Sequence, residues 1–233
     1  MQTISLISHV SKKLLHLISA RITSIIERHL SDSQLGFRKG IGTRDAIFQF
    51  RTIIERATQV NKKVCVCFID YQKAFDRINH EKLLDVMEKE GIPDLGKKLI
   101  KSLYWNQYAV IKTKNGESRK ICIRRGVRQG CIISPILFNL YTEYMMMEIH
   151  EQTKEIEIGR YYYNNIWYAD DAVFMSENEA DLQDLVLRIN DICKEYGMAM
   201  NVKKTKVRFF HAHLMADQID LRSTLVLDLR SSR

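Results

Sequence analysis

Two adjacent acids between two apolar runs constrain the fold of this chain more than any other feature. Tyr168-Ala169-Asp170-Asp171 follows apolar Ile166-Trp167 and precedes Ala172-Val173-Phe174. The runs predict two strands joined by a bend that carries the acids. Neighbouring like charges repel, and burying them without a neutralising cation would be costly. The alternative is a solvated hairpin turn, because Asp is common in turns.

A third acid follows a second apolar segment. The run Val64-Cys65-Val66-Cys67-Phe68-Ile69 is apolar at both alternating sets of positions, and Asp70 comes directly after it. This pattern is typical of a central strand that is covered on both faces. Mg²⁺ prefers oxygen ligands, so Asp70, Asp170 and Asp171 are candidates for a two-metal cluster. The alternative is that Asp70 only caps the following turn.

The composition fits a protein with a sizeable core and a polyanionic partner. The chain has 233 residues, 45% of them hydrophobic, and a formal net charge of +8. Short basic clusters such as Lys62-Lys63 and Lys203-Lys204 could neutralise phosphates, although such pairs are more often solvated. The N-terminal segment lacks an uninterrupted apolar run, which predicts neither a signal peptide nor a membrane span. We therefore expect an intracellular protein, in the nucleus or the cytoplasm and not secreted.

Apolar spacing predicts the remaining elements. Helical periodicity runs over 14–26, 46–57 after a cap at Thr43, 81–89, 95–104, 135–147 and 182–196. Strand patterns cover 108–113, 119–123, 156–158, 161–168 and 206–210, with Asn115-Gly116 marking a hairpin turn.

Several ordered segments resemble the palm of reverse transcriptases. They are 68–76, 125–131 followed by Ser134-Pro135, 168–171, and 197–201 leading to Lys204-Thr205. The stretch 34–38, continued by 40–47, resembles the fingers of the same family. The chain is therefore similar to the reverse transcriptase domain of a non-LTR (LINE-type) retrotransposon over residues 1–210.

The resemblance implies an α+β fold of right-hand polymerase architecture. Its palm would have a small antiparallel sheet packed on helices, with partial fingers mainly in 1–63 and palm mainly in 64–210. Residues 211–233 match nothing in the family pattern. A thumb and an endonuclease find no space in the chain, so we expect a truncated fragment whose missing domains other element-encoded segments could supply.

The implied activity is RNA-directed DNA polymerisation, in which dNTPs are added to a DNA primer on an RNA template with Mg²⁺, or Mn²⁺ as a substitute. Asp70 and Asp170 would be the principal metal ligands, and Asp171 the neighbouring acid. Lys204 would protonate the leaving pyrophosphate or bind phosphate. The residues implied to bind nucleotide or template are Arg38, Phe75, Gln129, Gly130 and Tyr168.

Each of these roles has a plainer alternative. Phe75 would exclude ribonucleotides by a clash at the sugar 2′ position, yet an aromatic after a buried strand is usually core. Arg38 would contact triphosphate, yet a lone Arg in a basic chain is usually solvated. Lys204 could be an ordinary surface lysine. For the whole chain, the alternatives are a catalytically incompetent relic or nucleic-acid-binding scaffold, and an intron-type reverse transcriptase fragment.

Overall fold

A computed structural model describes residues 7–114 and 116–210. Asn115 of the predicted turn and the tail from residue 211 lie outside the described residues. The helices are α1 His9–Ile26, α2 Thr43–Gln59, α3 Ala74–Arg77, α4 His80–Lys89, α5 Asp94–Tyr104, α6 Ser134–Glu151 and α7 Glu179–Glu195. The strands are β1 Val64–Asp70, β2 Gln107–Ala109, β3 Lys112–Thr113, β4 Gly116–Glu117, β5 Ile121–Ile123, β6 Ile156–Ile158, β7 Tyr161–Tyr163, β8 Asn165–Tyr168, β9 Asp171–Ser176 and β10 Lys206–Phe210.

The chain divides into two compact units. The first contains the residues up to Leu30 together with Lys73–Tyr144, and the second contains Ser31–Gln72 together with the residues from Met145 onward. Helix α6 begins in the first unit and ends in the second.

The second unit is built on a four-stranded antiparallel sheet in the order β10-β1-β9-β8. Val64 and Val66 of β1 join a buried cluster with Ile53 and Ala57 of α2. Cys65 and Cys67 alternate with them and are also fully buried, and α7 packs against β1 and β9. The expectation of a central strand covered on both faces is therefore confirmed, because β1 has a neighbour on each side and no exposed face.

The first unit is mainly helical and carries two short antiparallel ribbons. Strand β2 pairs with β5, and β3 pairs with β4. The segments predicted as strands before and after residue 115 therefore pair with each other, as expected for a hairpin. Helices α4 and α5 bury Leu83, Met87, Ile100 and Tyr104. The Tyr104 hydroxyl lies 2.9 Å from Oγ of Ser134 at the start of α6.

Local details differ from the predicted pattern at several points, and the strand predicted over 161–168, for example, is divided into β7 and β8. Helix α2 is capped at Gly42 rather than Thr43, with the Gly42 N–H donating to Oδ2 of Asp45 at 2.7 Å. The short helix α3 has no counterpart in the periodicity, because one turn is too brief to show a repeat. Met147, at the end of the apolar periodicity predicted over 135–147, is 48% exposed. None of the helices in the described part of the chain is long and apolar enough to span a membrane.

Candidate active site

The three predicted acids lie at one edge of the sheet in the second unit. Strand β1 ends at Asp70, which pairs in register with Asp171 at the start of β9. Tyr168 also pairs with Asp171, so Ala169 and Asp170 form a two-residue hairpin loop between β8 and β9. The three acids lie together because antiparallel pairing places the end of β1 beside the start of β9.

The hairpin loop holds an unusual backbone conformation. Ala169 has φ of +59°, in the left-handed region that costs a non-glycine residue about 1–2 kcal/mol. Such strain persists where the surrounding structure enforces it, and it is concentrated at functional sites. Here it allows a tight turn that presents the carboxyl of the half-buried Asp170 at the sheet edge.

Electrostatic repulsion is visible at this acidic edge, defined as Asp70, Asp170 and Asp171. Partial burial raises the pKa of Asp171 above its ordinary value, and the negative charges of Asp170 and Asp70 raise it further. Lys204 acts in the opposite direction. The edge therefore stores unfavourable negative charge that a cation would relieve.

Asp70 has a different donor on each carboxylate oxygen. The side-chain amide of Asn201 donates to Oδ2 at 2.9 Å, and the ammonium of Lys204 donates to Oδ1 at 3.1 Å. The Asp70 side chain is 22% exposed and that of Lys204 is 67% exposed. Lys204 therefore sits beside the acids, as the family resemblance implies, while Asn201 is a contact to which sequence reasoning assigned no role.

The segment that carries Asn201 and Lys204 is held by the backbone. Tyr71 forms an antiparallel bridge with Met200, and the N–H of Asn201 donates to the carbonyl of Asp70 at 2.7 Å. The carbonyl of Asn201 in turn accepts from the N–H groups of Lys204 and Thr205, both at 2.9 Å. This turn directs Lys204 back towards Asp70.

A groove of about 510 Å³ opens at the acidic edge. Its charged lining consists of two carboxylates and three lysines, and the rest of the wall is formed by residues 68–69 and 172–173. The charged residues are Asp70, Asp171, Lys203, Lys204 and Lys206. Acids beside several cations can hold metal ions and phosphate groups at the same time.

The donor chemistry of this edge fits hard divalent cations. The acids supply carboxylate oxygens, and a lysine cation already lies on Oδ1 of Asp70. Within 7–114 and 116–210, no group of three or more His, Cys, Asp or Glu side chains is already arranged to hold a metal ion. The carboxylates interact electrostatically, and the lysine partly balances their charge.

An extended segment supports the hairpin from the side of β8. Gln34 forms a parallel bridge with Trp167, the N–H of Leu35 donates to the Trp167 carbonyl at 2.9 Å, and the Trp167 N–H donates to the Ser33 carbonyl at 3.0 Å. A Cβ on Gly36 would lie 2.2 Å from the backbone nitrogen of Ala169. Glycine is therefore required at residue 36, a role that only the tertiary contact reveals.

Arg38 follows this segment and folds back onto it. One guanidinium nitrogen, Nη1, donates to the carbonyl of Ser31 at 2.9 Å and to the carbonyl of Gln34 at 3.1 Å. Its side chain thus braces the segment that supports the hairpin. A contact with triphosphate stays a prediction for this residue.

Phe75, Gln129 and Gly130 belong to the first unit. The Phe75 ring stacks on the Phe138 ring of α6, with centroids 4.6 Å apart and planes 5° from parallel. The N–H of Val127 donates to the Phe75 carbonyl at 2.8 Å, which ties α3 to the loop 125–130. Phe75 is half-buried, Gln129 is half-buried and Gly130 is exposed with φ of +86°.

Two side chains, those of His80 and Arg128, hold the loop 125–130 in place through hydrogen bonds. Nε2 of the buried His80 lies 2.7 Å from the Gly126 carbonyl oxygen. Because a carbonyl only accepts, Nε2 must carry a hydrogen in this contact. Arg128 donates to the Leu103 carbonyl at 3.1 Å and to Oε1 of Gln107 at 3.2 Å. Gly126 has φ of +93°, and a Cβ there would lie 2.8 Å from the Asp76 carbonyl oxygen.

The fold and the acidic edge together define a class of protein. The chain is α+β, and its small antiparallel sheet is packed on helices and presents carboxylates from a strand end and a tight hairpin. The family description "Reverse transcriptase (RNA-dependent DNA polymerase)" matches residues 1–221. The chain belongs to the reverse transcriptase family.

Curated relatives place it near the enzymes of non-LTR retrotransposons. It is 29% identical over 203 residues to a Pol polyprotein of the type-1 retrotransposable element R2 from Popillia japonica. It is 28% identical over 207 residues to a probable RNA-directed DNA polymerase from transposon BS of Drosophila melanogaster. These alignments cover 85% and 87% of this chain but 28% and 23% of the relatives. The predicted resemblance to non-LTR reverse transcriptases is confirmed, and the chain spans about a quarter of those two proteins.

Solved structures agree on the fold. A telomerase from Candida albicans in complex with a telomeric RNA fragment aligns over 90% of this chain and 35% of its own, with a TM-score of 0.62 and 14% identity. The apo telomerase of Candida tropicalis truncated from its C-terminal domain aligns over 84% of this chain and 39% of its own, with a TM-score of 0.59 and 15% identity. The expected α+β polymerase fold is thereby confirmed.

Proposed function

We propose that this chain is the catalytic core of an RNA-directed DNA polymerase that adds dNTPs to a DNA primer on an RNA template. The observation that carries the proposal is the register of Asp70 with Asp171 at the end of the hairpin that bears Asp170. Family membership over most of the chain supports it.

Asp70, Asp170 and Asp171 would hold the divalent cations, Mg²⁺ or Mn²⁺. Bound there, such ions activate the primer hydroxyl and offset the charge that develops on the phosphates. The lysines of the groove, Lys203, Lys204 and Lys206, would attract the triphosphate and the leaving pyrophosphate. The protein's contribution is largely positioning and charge stabilisation, because phosphoryl transfer requires little covalent chemistry from side chains.

The nucleotide would be selected by residues of the loop 125–130 and α3. Phe75 would close the space beside the sugar 2′ carbon, and its stacking on Phe138 would keep the ring from moving aside. Gln129 and Gly130 would line the nucleotide sugar and the templating pair. Arg38 and Tyr168 would contribute to nucleotide or template binding.

Other domains would complete the enzyme. An endonuclease and a thumb supplied by other parts of the same element would position the target and the duplex, and the reaction would take place inside the cell, in the nucleus or the cytoplasm. The larger size of the relatives supports the further domains.

Primer extension tests the proposal. The purified chain, with Asp170→Asn and Asp184→Asn as matched variants, is given a DNA primer on an RNA template, Mg²⁺ and dNTPs. Asp184 is an exposed residue of α7 paired with Arg188. We expect Asp170→Asn to slow extension by about 10³-fold or more, equivalent to about 4 kcal/mol of activation free energy, and Asp184→Asn to have no effect.

Extension by Asp170→Asn at the wild-type rate would overturn the assignment of the site. Tight binding of primer and template by a folded wild-type chain that extends nothing would overturn a self-sufficient polymerase core and favour a nucleic-acid-binding scaffold or a subunit that requires the other domains.

A further inference from the structure

We infer that Asn201 is a positioning residue that fixes the carboxylate of Asp70 through Oδ2, so that Oδ1 is left for a cation. The inference rests on the proposed function, since it concerns an acid of the proposed catalytic site. It adds a specific task for a side chain that lies 131 residues away in sequence.

The two donors of Asp70 differ in how firmly they are held. Lys204 reaches Oδ1 with a long, exposed side chain that can leave without disturbing its backbone. Asn201 reaches Oδ2 with a short amide whose own backbone N–H donates to the Asp70 carbonyl at 2.7 Å. Lys204 is therefore the exchangeable partner, and Asn201 is the fixed one.

The backbone around Asn201 is secured without its side chain. The N–H of Gln72 donates to the Ala199 carbonyl at 2.8 Å, and the side-chain amide of Gln72 donates to the Met200 carbonyl at 3.2 Å. Together with the Tyr71 to Met200 bridge, these bonds keep the segment beside β1. Removing the Asn201 amide should then release the Asp70 carboxylate and little else.

A released carboxylate would bind a cation less well. The terminal torsion of Asp is broad, so the group would turn freely once Oδ2 lost its donor. Lys204 could then draw the whole carboxylate towards itself. Residues that orient metal ligands in this way typically change metal affinity or activity by about 10–100-fold when removed.

Mn²⁺ binding by the full chain, followed by electron paramagnetic resonance, tests the inference without depending on turnover. The variants are Asn201→Ala, Asn201→Ser as a turn-compatible second loss of the amide, and Asn178→Ala as a matched control. Asn178 caps α7, and its side-chain oxygen accepts from the Asp181 N–H at 2.8 Å; it follows the end of β9 that is opposite to Asp171. Circular dichroism establishes which variants are folded.

Asp170→Asn identifies the relevant site, because Mn²⁺ binding at the three acids should be lost in this variant. For that site we expect the dissociation constant of Mn²⁺ to rise about 10–100-fold in the Asn201 variants. The Mg²⁺ concentration that gives half-maximal primer extension should rise in parallel, with the rate largely restored at excess Mg²⁺. Asn178→Ala should lower thermal stability and leave both quantities unchanged.

Wild-type Mn²⁺ affinity in either folded Asn201 variant would overturn the inference, because a purely structural role leaves the cation site intact. If Asp170→Asn changed neither Mn²⁺ binding nor extension, the proposed function itself would have failed. The two failures are therefore distinguishable.

Discussion

The acidic edge and the loop 125–130 are held in contrasting ways. Strand pairing places Asp70 beside Asp171, so the backbone of the sheet fixes the carboxylates. The loop is held by isolated backbone hydrogen bonds, such as that from the Gly126 N–H to the Ile78 carbonyl at 2.7 Å, and by side chains that include His80 and Arg128. The like charges are thus positioned by a continuous strand ladder, whereas the loop relies in part on individual side chains, one of them a histidine, and should respond more readily to substitution and pH.

Both regions nevertheless depend on a glycine that no other residue can replace without displacing backbone, Gly36 beside the hairpin and Gly126 within the loop. The Cβ position of Gly36 lies within 3.0 Å of three backbone atoms of 168–169, and that of Gly126 lies within 2.9 Å of three backbone atoms of Asp76. Close backbone approach is thus a shared requirement of two otherwise different supports.

The largest effect on stability is expected from Gly36→Ala. A Cβ at 2.2 Å from Ala169 N must push the hairpin away, which should cost about 3 kcal/mol or more of unfolding free energy and abolish extension. Gly126→Ala should cost about 2–3 kcal/mol through strain and overlap. Urea denaturation of both variants provides the measurement.

Gly91→Ala is the matched control for Gly126→Ala, because Gly91 also has a positive φ, of +66°, and no atom of the described residues lies within 4 Å of its Cβ position. It should cost only about 1–2 kcal/mol, from the left-handed backbone alone. Equal losses in Gly126→Ala and Gly91→Ala would show that the overlap with Asp76 costs nothing, and a Gly36→Ala variant as stable as the wild type would show the same for the contact with the hairpin.

Phe75→Val should produce an intermediate effect confined to nucleotide choice. Loss of the ring opens space beside the sugar, so incorporation of rNTPs relative to dNTPs should rise about 10–100-fold, as expected for a change in pocket size. Phe138→Leu, which removes the stacked partner of Phe75, should raise the ratio by a smaller factor.

Single-nucleotide incorporation with matched dNTP and rNTP pairs gives these ratios. Phe48→Val is the control, since Phe48 lies on α2 and is 71% exposed. If the ratio of rNTP to dNTP incorporation were unchanged in Phe75→Val, the Phe75 ring would contribute only to packing in the first unit and not to nucleotide choice.

The smallest expected effect is a pH dependence of the stability of the first unit, which arises from His80. Burial lowers the pKa of His80 below its ordinary value, so the folded chain disfavours the charged imidazole. The stabilisation is therefore complete above the unfolded-state pKa of about 6.5 and is lost as pH falls through the lower folded-state pKa. The loss should not exceed about 1.4 kcal/mol per pH unit, the limit for one proton.

Thermal unfolding of the wild type and of His80→Gln between pH 7.5 and 5 measures this contribution. The wild type should lose more stability on acidification than His80→Gln, whereas His16→Gln, a change at an exposed residue of α1, should follow the wild type. If the melting temperatures of the wild type and His80→Gln fell equally between pH 7.5 and 5, His80 would not contribute to the pH dependence of stability.

Much of the acidic edge was predictable because its signals are local. A continuous apolar run identified β1, and the paired acids between two apolar runs predicted the hairpin. The supports were not predictable in the same way. Gly36 meets Ala169, and Asn201 meets Asp70, only after the chain has folded. Periodicity reports which face of an element is buried, and not which distant side chain it meets.

The same limit explains the loop region. The matched motif indicated Phe75, Gln129 and Gly130, but nothing in the spacing pointed to His80 as the brace of Gly126. A buried histidine in an amphipathic helix looks like any other helix residue until its partner is known. The roles of the three motif residues stay predictions that the nucleotide-choice experiment addresses.

The most direct test of the central claim is to locate the cation on the chain. Fe²⁺ substituted for Mg²⁺ generates radicals that cut the backbone near its ligands, and mass spectrometry identifies the cuts. We predict cleavage close to Asp70 and close to 170–171, suppressed by Mg²⁺ and absent from Asp170→Asn. Cuts confined to other parts of the chain, or cuts at these positions that neither Mg²⁺ nor Asp170→Asn affects, would contradict the account.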